Sequence, residues 1–200
     1  MKKSKKSSKN NRSKFNVVIF YGPFAVGKYT VANEFHKQTG YKLYHNHHTY
    51  DVVKDLFDRG TLSMDRLCEK LRLDIIEEIS KAKINIVMTH AYSAGYVSKT
   101  GLSDPAYVKK VESIIEKTGG IVYFIHLTAS PKVLLKRVSG NSRKKFNKLK
   151  DVKIMRQIIN IKKGTKDWTT PAPVKNNFEI NNSKLSPKQV VKIVRKLINI

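Results

Sequence analysis

The sequence has little cysteine, no long apolar run and few acidic residues, and each of these features excludes or disfavours a class of protein. It contains a single cysteine, Cys68, in 200 residues, so a fold held together by disulfide bonds within the chain is excluded. It has no apolar run of the length that a membrane-spanning helix needs, and we expect no membrane partner. Asp and Glu number 15 against 40 Lys and Arg, a net charge of +25. This excess favours anionic partners such as nucleotides or nucleic acids.

The first 14 residues form a basic segment without an apolar anchor, and we predict that this segment is a disordered tail. It holds six Lys and Arg12 and no acid, so removing these seven charges from +25 leaves +18 for residues 15–200. The tail has two interpretations, a nuclear address or a weak arm for nucleic acid. The lysines of residues 15–200 also have two interpretations. They form a surface that binds nucleic acid, or they reflect a lysine-rich composition whose charges are simply solvated.

A signal peptide would also begin with a basic run followed by apolar residues such as FNVVIFYGPFAV. Here the apolar run leads straight into Gly27 and Lys28, without a convincing small-x-small cleavage site. We therefore expect a cytoplasmic protein, with a nuclear location left open by the basic tail.

Short apolar segments alternate with amphipathic segments along residues 15–200, which we treat as one domain. Strands are predicted at 15–21, within 41–48, and at 84–89, 121–127 and 178–180. Helices are predicted at 28–38, 49–59, 64–81 and 104–117, and from Pro131 and Pro187 onward. The alternation is typical of an α/β fold with a mainly parallel sheet. Residues 140–177 receive no strand or helix, and 162–177 are predicted to be loop.

A glycine-rich stretch, GPFAVGKYT, follows the first predicted strand and opens the first predicted helix. It nearly matches the phosphate-binding pattern G-x-x-x-x-G-K-[ST], in which backbone N–H groups surround phosphate oxygens and the lysine reaches the β- and γ-phosphates. Tyr29 stands where the pattern has Ser or Thr, and Thr30 follows one residue late. We expect ATP and Mg²⁺ here, with Thr30 on the metal side. The predicted nucleotide contacts are Gly22, Pro23, Phe24, Ala25, Val26, Gly27, Lys28, Tyr29 and Thr30.

This loop, with its hydroxyl displaced by one residue, resembles the loop of the nucleoside-monophosphate kinases, which commonly read G-K-G-T. The wider stretch GPFAVGKYTVA, with YKLYHNHHTYDVV after it, resembles small P-loop proteins of the shikimate-kinase and adenylate-kinase type, including AAA-family ATPase-like proteins of unknown substrate. The resemblance implies a three-layer α/β P-loop NTPase fold with a five-stranded sheet, ATP with Mg²⁺, and a short basic lid at about 139–165. No predicted strand ends in a clear Walker B Asp, which disfavours a motor-type ATPase.

Histidines gather at the predicted carboxyl ends of the strands, where open parallel sheets bind their ligands. His45, Asn46 and His47 follow the second strand, and His90 and His126 lie near the ends of the third and fourth. In shikimate-kinase-like proteins, a D-x-D pair after the second strand contacts metal-bound water and the acceptor. In this sequence the corresponding pair is His45-x-His47. A neutral imidazole can accept a proton from an acceptor hydroxyl or position that hydroxyl. We hypothesise that His45, Asn46 and His47 bind the acceptor and that His47 is catalytic. The alternative is that they are structural polar groups of a loop.

The same resemblance gives roles to three arginines and one asparagine. Arg72, in EKLRLDIIEE, would hold an anionic group of the acceptor. Arg137 and Arg143 would belong to the lid, where arginines stack on adenine and neutralise the transferring phosphate. Asn181 would flank the adenine. The alternatives are a solvated helix face for Arg72 and a basic surface loop for the lid arginines.

The function predicted from these patterns is the transfer of the ATP γ-phosphoryl group to a small-molecule or nucleotide acceptor. A second hypothesis is a nucleic-acid-associated P-loop NTPase or polynucleotide end kinase that docks through the basic tail and surface. A third is a non-enzymatic nucleotide switch, which a lid would disfavour. Neither the acceptor nor the oligomeric state follows from the residues.

Overall fold

The computed structural model describes residues 15–140, 151–165, 167 and 169–200. Strands and helices alternate along nearly all of this length. In chain order they are β1 (Asn16–Gly22), α1 (Lys28–Thr39), β2 (Lys42–Tyr44), α2 (His47–Val53), α3 (Leu62–Lys81), β3 (Ile86–Ala91), α4 (Asp104–Lys117), β4 (Ile121–Thr128), α5 (Pro131–Val138), α6 (Val152–Thr165), β5 (Asn177–Asn181) and α7 (Pro187–Leu197).

The five strands form one sheet in the order β2-β3-β1-β4-β5, and every pairing is parallel. The phosphate-loop strand β1 is central, with β3 on one side and β4 on the other. This arrangement confirms the predicted α/β fold with a five-stranded sheet. All strand carboxyl ends therefore meet at one edge, where the predicted site residues lie.

The central strand is buried on both faces, which explains its continuous apolar sequence. Val18 and Phe20 point to one face and pack with α1, α5 and α7. Val17, Ile19 and Tyr21 point to the other and pack with α3 and α4. The side chains alternate because successive residues of a strand face opposite ways. Three layers result, with the sheet between two layers of helices.

Several helices begin at the predicted serine–proline signals. At α7, Ser186 accepts a hydrogen bond from the backbone of Gln189, whose side chain accepts one from the backbone of Ser186, a complete capping box. At α4 the sequence predicts Asp104 as the N-cap, which was wrong by one residue. Ser103 is the N-cap and accepts from the backbone N–H of Ala106, whereas Asp104 is the first helical residue.

Two element boundaries also differ from the prediction. The helix predicted at 49–59 begins at His47 and ends at Val53. The backbone N–H of Leu56 bonds to the carbonyl of Val53, a three-residue spacing, so the chain continues in turns after the helix. Strand β3 is shifted by two residues, since Ile84 is still bonded to the end of α3 through Ile79. The strand continues to Ala91 because Gly22 of β1 pairs with it.

Helix α6 occupies part of the region that received no assignment. It falls within the predicted lid at about 139–165, whereas residues 141–150 lie outside the described part of the chain. The lid therefore stays a prediction, as does the boundary between a tail at 1–14 and a domain at 15–200. None of the described helices is long and apolar enough to span a membrane.

Candidate functional site

A large cleft of about 1300 Å³ lies over the carboxyl ends of the strands. Residues of the predicted phosphate loop, from Gly22 to Thr30, all line it. So do the predicted acceptor residues His45, Asn46, His47 and Arg72. The structure thus brings most of the predicted site residues together around one space, although they come from three separate segments of the chain.

The backbone of the phosphate loop needs its first glycine. Gly22 has a φ of 129°, and a Cβ at this position would overlap the carbonyl oxygen of Leu127 on β4. Gly27, which caps α1, has a φ of 102°, again in the region that favours glycine. Ala25 also has a positive φ of 62°, a conformation that costs an alanine about 1–2 kcal/mol. This strained turn at a helix N-terminus is typical of anion-binding loops.

Lys28 lies across the mouth of this loop. Its Nζ donates hydrogen bonds to the carbonyl oxygens of Gly22 at 2.7 Å and Pro23 at 2.8 Å. The ammonium group is therefore held over the loop, where the pattern predicts the phosphate oxygens. Thr30, two residues further along α1, is exposed to the same cleft. One hydroxyl beside a phosphate site fits Mg²⁺, which keeps several waters and uses few protein ligands when phosphates hold it.

Arg137 and Asn182, which both line the cleft, brace the loop through hydrogen bonds to its backbone. The Nη1 of Arg137 donates to the carbonyl of Val26 at 2.9 Å and to Asn182 Oδ1 at 3.0 Å, and its Nη2 donates to the Asn182 carbonyl at 2.9 Å. Asn182 Nδ2 donates to the Val26 carbonyl at 2.8 Å. Burial lowers the pKa of Arg137 from its usual value, yet an arginine so lowered remains charged at neutral pH. The guanidinium thus contacts the loop backbone directly.

Asn182, rather than its neighbour, faces the cleft after β5. Asn182 is buried and lines the cleft. Asn181 is exposed, and its Oδ1 accepts a hydrogen bond from the backbone N–H of Ser183. The alternation of a strand explains the difference, since consecutive residues point to opposite sides. The second predicted lid arginine, Arg143, lies outside the described residues.

Tyr29, the unusual residue of the loop, packs against the acceptor side of the cleft. Its ring meets the ring of His45 edge to face, with centroids 4.7 Å apart. His45 in turn stacks on His47 at 4.9 Å. The backbone N–H of His47 donates to Nδ1 of His45 at 3.2 Å. A neutral His45 therefore carries its proton on Nε2 and acts as a hydrogen-bond donor through that atom.

Arg72 holds the turn between β2 and α2. Its Nε donates to the Thr49 hydroxyl at 2.9 Å, and its Nη2 donates to the Asn46 carbonyl at 3.3 Å. The Asn46 side chain accepts from the hydroxyl of Thr89 at 3.0 Å, and its backbone N–H donates to the same hydroxyl at 3.2 Å. These bonds fix Asn46 between the two histidines, so His45 and His47 keep their place at the edge of the sheet.

The other two histidines of the predicted cluster have different surroundings. His90 lines the cleft, stacks on Tyr107 at 5.0 Å, and has Nε2 3.5 Å from a carboxylate oxygen of Asp104. His126 is buried within the sheet, where it stacks on Tyr21 at 4.7 Å. His126 does not line the cleft, so the prediction that it gathers there was wrong. A residue two positions before the end of β4 lies too far back along the strand.

A buried carboxylate, Asp167, was not predicted and connects the segment after α6 to the loop after β3. It accepts hydrogen bonds from the hydroxyl of Ser93 and from the backbone N–H of Gly95, the latter at 2.6 Å. Ser93 lines the cleft. The partners are more than 70 residues apart in sequence, so local patterns carry no signal for this contact.

Comparison with known proteins agrees with this geometry. No protein-family model matches the chain, and no curated protein matches it. Among solved structures, a protein of Chloroflexus aurantiacus is similar with a TM-score of 0.64 at 15% identity, over 93% of this chain and 97% of that one. A sugar kinase of Janibacter sp. is similar with a TM-score of 0.60 at 14% identity, over 94% of this chain and 95% of that one. A shikimate kinase of Bacteroides thetaiotaomicron is similar with a TM-score of 0.53 at 13% identity, over 93% of this chain and 99% of that one.

The chain has the P-loop kinase-like fold. The similarity covers nearly the whole length of each chain, and the loop that gives the fold its name stands at the expected place between β1 and α1. Identities of this size show the fold alone, and the activity has to be argued from the site.

Proposed function

We propose that this protein transfers the γ-phosphoryl group of ATP to a hydroxyl group of a small-molecule or nucleotide acceptor. The observation that carries the proposal is the position of Lys28, whose ammonium group is held over a strained glycine loop at the N-terminus of α1. Phosphoryl transfer depends on positioning and on neutralising charge, and this arrangement supplies both.

The donor half of the site consists of the loop and its brace. When ATP binds, the backbone N–H groups of the loop would hold the phosphate oxygens, and Lys28 would exchange its bonds to Gly22 and Pro23 for bonds to phosphate. Arg137 is 2.9 Å from the loop carbonyl of Val26, so it would contribute positive charge beside the phosphates. Mg²⁺, when bound with ATP near Thr30, would neutralise charge on the phosphate oxygens. Arg143 stays a predicted lid residue.

The acceptor half consists of the turn after β2 and the side chains that hold it. We propose that His45 donates a hydrogen bond to the bound substrates through Nε2 and that Asn46 and Arg72 shape the acceptor site. His47 would accept the proton that the acceptor hydroxyl loses as the new bond to phosphorus forms. The bond from the γ-phosphorus to the bridging oxygen breaks, and ADP leaves.

A phosphorylation screen tests this proposal. Purified protein, Mg²⁺ and ATP are incubated with nucleosides, nucleotides, small polar metabolites and oligonucleotides, and phosphorylated products are measured by mass spectrometry. We expect one class of acceptor to be phosphorylated, and we expect Lys28→Ala to lower turnover by about 10²-fold or more. Lys37→Ala, on the exposed side of the same helix, should leave turnover unchanged.

The outcome against the proposal is equally specific. If no acceptor is phosphorylated and Lys28→Ala binds ATP as well as the parent protein, the chain is not a kinase of this type. Oligonucleotides in the screen also test the second hypothesis. No observation on the described residues favours docking on nucleic acid, and the basic tail lies outside them.

A further inference from the structure

Two groups of aromatic and imidazole rings line the acceptor half of the cleft. We call the first group the loop rings: Tyr29, His45, His47 and Tyr50. Each ring touches the next, with centroid separations of 4.7 Å, 4.9 Å and 5.6 Å along the series. The series runs from the start of α1, across the turn after β2, into α2. It is therefore a continuous series of ring contacts beside the phosphate loop, in which His45 is buried.

The second group, which we call the strand rings, consists of His90, Tyr92 and Tyr107. His90 stacks on Tyr107 at 5.0 Å and lies 6.4 Å from Tyr92. Tyr96, 46% exposed, lines the same half of the cleft. The parallel pairing of Tyr21 with His90 places the strand rings directly beside the residue that precedes the phosphate loop.

Several polar side chains of this half already hold hydrogen bonds within the protein. Three carboxylates line it, and each accepts a hydrogen bond from the loop that follows β3. Asp65 accepts from the backbone N–H of Lys99 at 2.9 Å, Glu69 from the hydroxyl of Thr100 at 2.6 Å, and Asp104 from the backbone N–H of Ser93 at 2.8 Å. Asn46 and Thr89 are bonded to each other, and Arg72 is bonded to Thr49.

The balance of charge in this half differs from that of the whole chain. Arg59 and Arg72 contribute two positive charges to the lining, while Asp65, Glu69 and Asp104 contribute three negative ones. In a protein of net charge +25, the acceptor half is thus nearly neutral. An anionic acceptor such as a nucleotide would gain little attraction there beyond that of the phosphate loop itself.

From these features we infer that the acceptor is an uncharged heteroaromatic alcohol, such as a nucleoside or a pyridine alcohol, whose ring stacks on the loop rings or the strand rings. This inference rests on the proposed kinase function and names the substrate class of its acceptor site. A polyhydroxylated acceptor needs several polar partners to replace its bonds to water. Here the three carboxylates, Asn46 and Arg72 each already hold a hydrogen bond within the protein, whereas ring faces bind planar ligands by stacking.

The inference gives Arg72 a different part from the one that the family resemblance implies. Instead of holding an anionic group of the acceptor, Arg72 fixes the turn that carries Asn46 and the loop rings. The acceptor hydroxyl would lie on the side of the rings nearest Lys28, since Tyr29 follows Lys28 in the chain. The transfer itself is unchanged: the hydroxyl oxygen bonds to the γ-phosphorus, its proton goes to His47, and ADP leaves.

Equilibrium binding separates the two classes of acceptor. The full chain, loaded with Mg²⁺ and a non-hydrolysable ATP analogue, is titrated in a calorimeter with adenosine, uridine and pyridoxine, and with ribose, gluconate and shikimate. Uridine and ribose are the matched pair, because uridine carries a base in addition to the sugar. We expect at least one heteroaromatic probe to bind about tenfold or more tightly than every non-aromatic one.

Variants at Tyr50 identify the stacking surface. Tyr50→Leu removes the ring and should weaken the best heteroaromatic probe by about tenfold, while Tyr50→Phe keeps the ring face and should bind it within about twofold of the parent. Tyr96→Leu and Tyr96→Phe form the same pair for Tyr96, the exposed ring that lines the cleft beside the strand rings. Affinity for the ATP analogue, measured on each variant, should stay unchanged and shows that the fold is intact.

The results that would overturn the inference differ from those that would overturn the kinase function. If ribose, gluconate or shikimate binds best, if no heteroaromatic probe binds at millimolar concentration, or if neither leucine variant is weaker than its phenylalanine partner, the inference is wrong. The ATP analogue still binds in all these cases, and the kinase function stands. Failure of the parent protein to bind the analogue would instead remove both.

Discussion

Arg137 and Asn182 are joined by two hydrogen bonds, and both donate to the same carbonyl oxygen, that of Val26 in the phosphate loop. The loop is therefore held in place by α5 and by the segment that follows β5, at positions where Arg137 and Asn182 both line the cleft. A carbonyl oxygen that accepts two hydrogen bonds cannot rotate toward the cleft, where it would repel phosphate. The pair thus maintains the loop in a conformation whose N–H groups face the nucleotide.

Replacing Asn182 with alanine should damage both stability and nucleotide binding. The change leaves a half-buried guanidinium N–H of Arg137 without its acceptor and removes one donor from the Val26 carbonyl, so we expect a loss of about 1–3 kcal/mol in the free energy of unfolding. Urea unfolding measures the first effect, and titration with an ATP analogue measures the second.

Asn181→Ala is the matched control, because Asn181 is exposed and its side chain bonds only locally, to Ser183. It should change stability by less than about 0.5 kcal/mol. If Asn181→Ala weakens the ATP analogue while Asn182→Ala does not, the adenine contact predicted for Asn181 is correct and the brace has no role in nucleotide binding.

A second prediction concerns Gly22. Alanine at this position would meet both an unfavourable φ of 129° and the Leu127 carbonyl oxygen of β4. We expect a loss of about 3 kcal/mol or more and a loss of nucleotide binding. Gly101→Ala also changes a residue of positive φ, 85°, but it has no atom within 4 Å of the added methyl group, and it should cost about 1 kcal/mol. Equal losses, measured by thermal unfolding, would show that the close approach to β4 is unimportant.

A third prediction concerns the link made by Asp167. Asp167→Ala removes the acceptor of the bonds from Ser93 and Gly95, so the loop after β3 should open more often. Trypsin should then cleave after Lys99, which is exposed in this loop, faster than in the parent protein. Asp74→Ala, which removes an exposed ion pair with Lys70, should leave the cleavage rate unchanged. Equal rates for Asp167→Ala and the parent would contradict the link.

A fourth prediction concerns alkaline pH. Burial raises the pKa of Tyr92 from 10.0 to about 12, so the folded protein holds the phenolic proton more tightly than the unfolded chain. This contribution to stability is complete below pH 10 and is lost as the pH rises through about 12. Tyr92→Phe has no phenolic proton to lose. Its free energy of unfolding should therefore fall less between pH 9 and pH 11 than that of the parent protein, by roughly the contribution of one ionising group. Urea unfolding at the two pH values measures the difference, and identical losses would contradict the assignment.

Most of the fold could be predicted because its signals are local. The apolar run of β1, the glycine loop and the Ser–Pro starts of α5 and α7 each depend on neighbouring residues, and each was found close to its observed place. The end of α2 and the start of β3 were misplaced, since turn bonds at Val53 and the bond from Ile84 to the Ile79 carbonyl at the end of α3 decide them. Helix α6 was missed because its basic, polar surroundings hide its apolar positions.

The site divides in the same way. The phosphate loop and the histidines after β2 lie within short stretches of sequence, and the structure places them on one cleft. Asn182 and Asp167 act through partners 45 to 156 residues away, and only the folded chain reveals such contacts. The contact between Tyr29 and His45 is likewise revealed only by the folded chain, because the phosphate-loop motif predicts neither a tyrosine at position 29 nor a histidine at position 45.

That contact ties the two substrates of the proposed reaction to one side chain. Tyr29 belongs to the phosphate loop, yet its ring packs against His45 of the acceptor side at 4.7 Å. Shortening this residue to the glycine that such loops commonly have would open a gap beneath the histidine. Selection or engineering at position 29 therefore cannot adjust nucleotide affinity alone, and acceptor preference would shift with it.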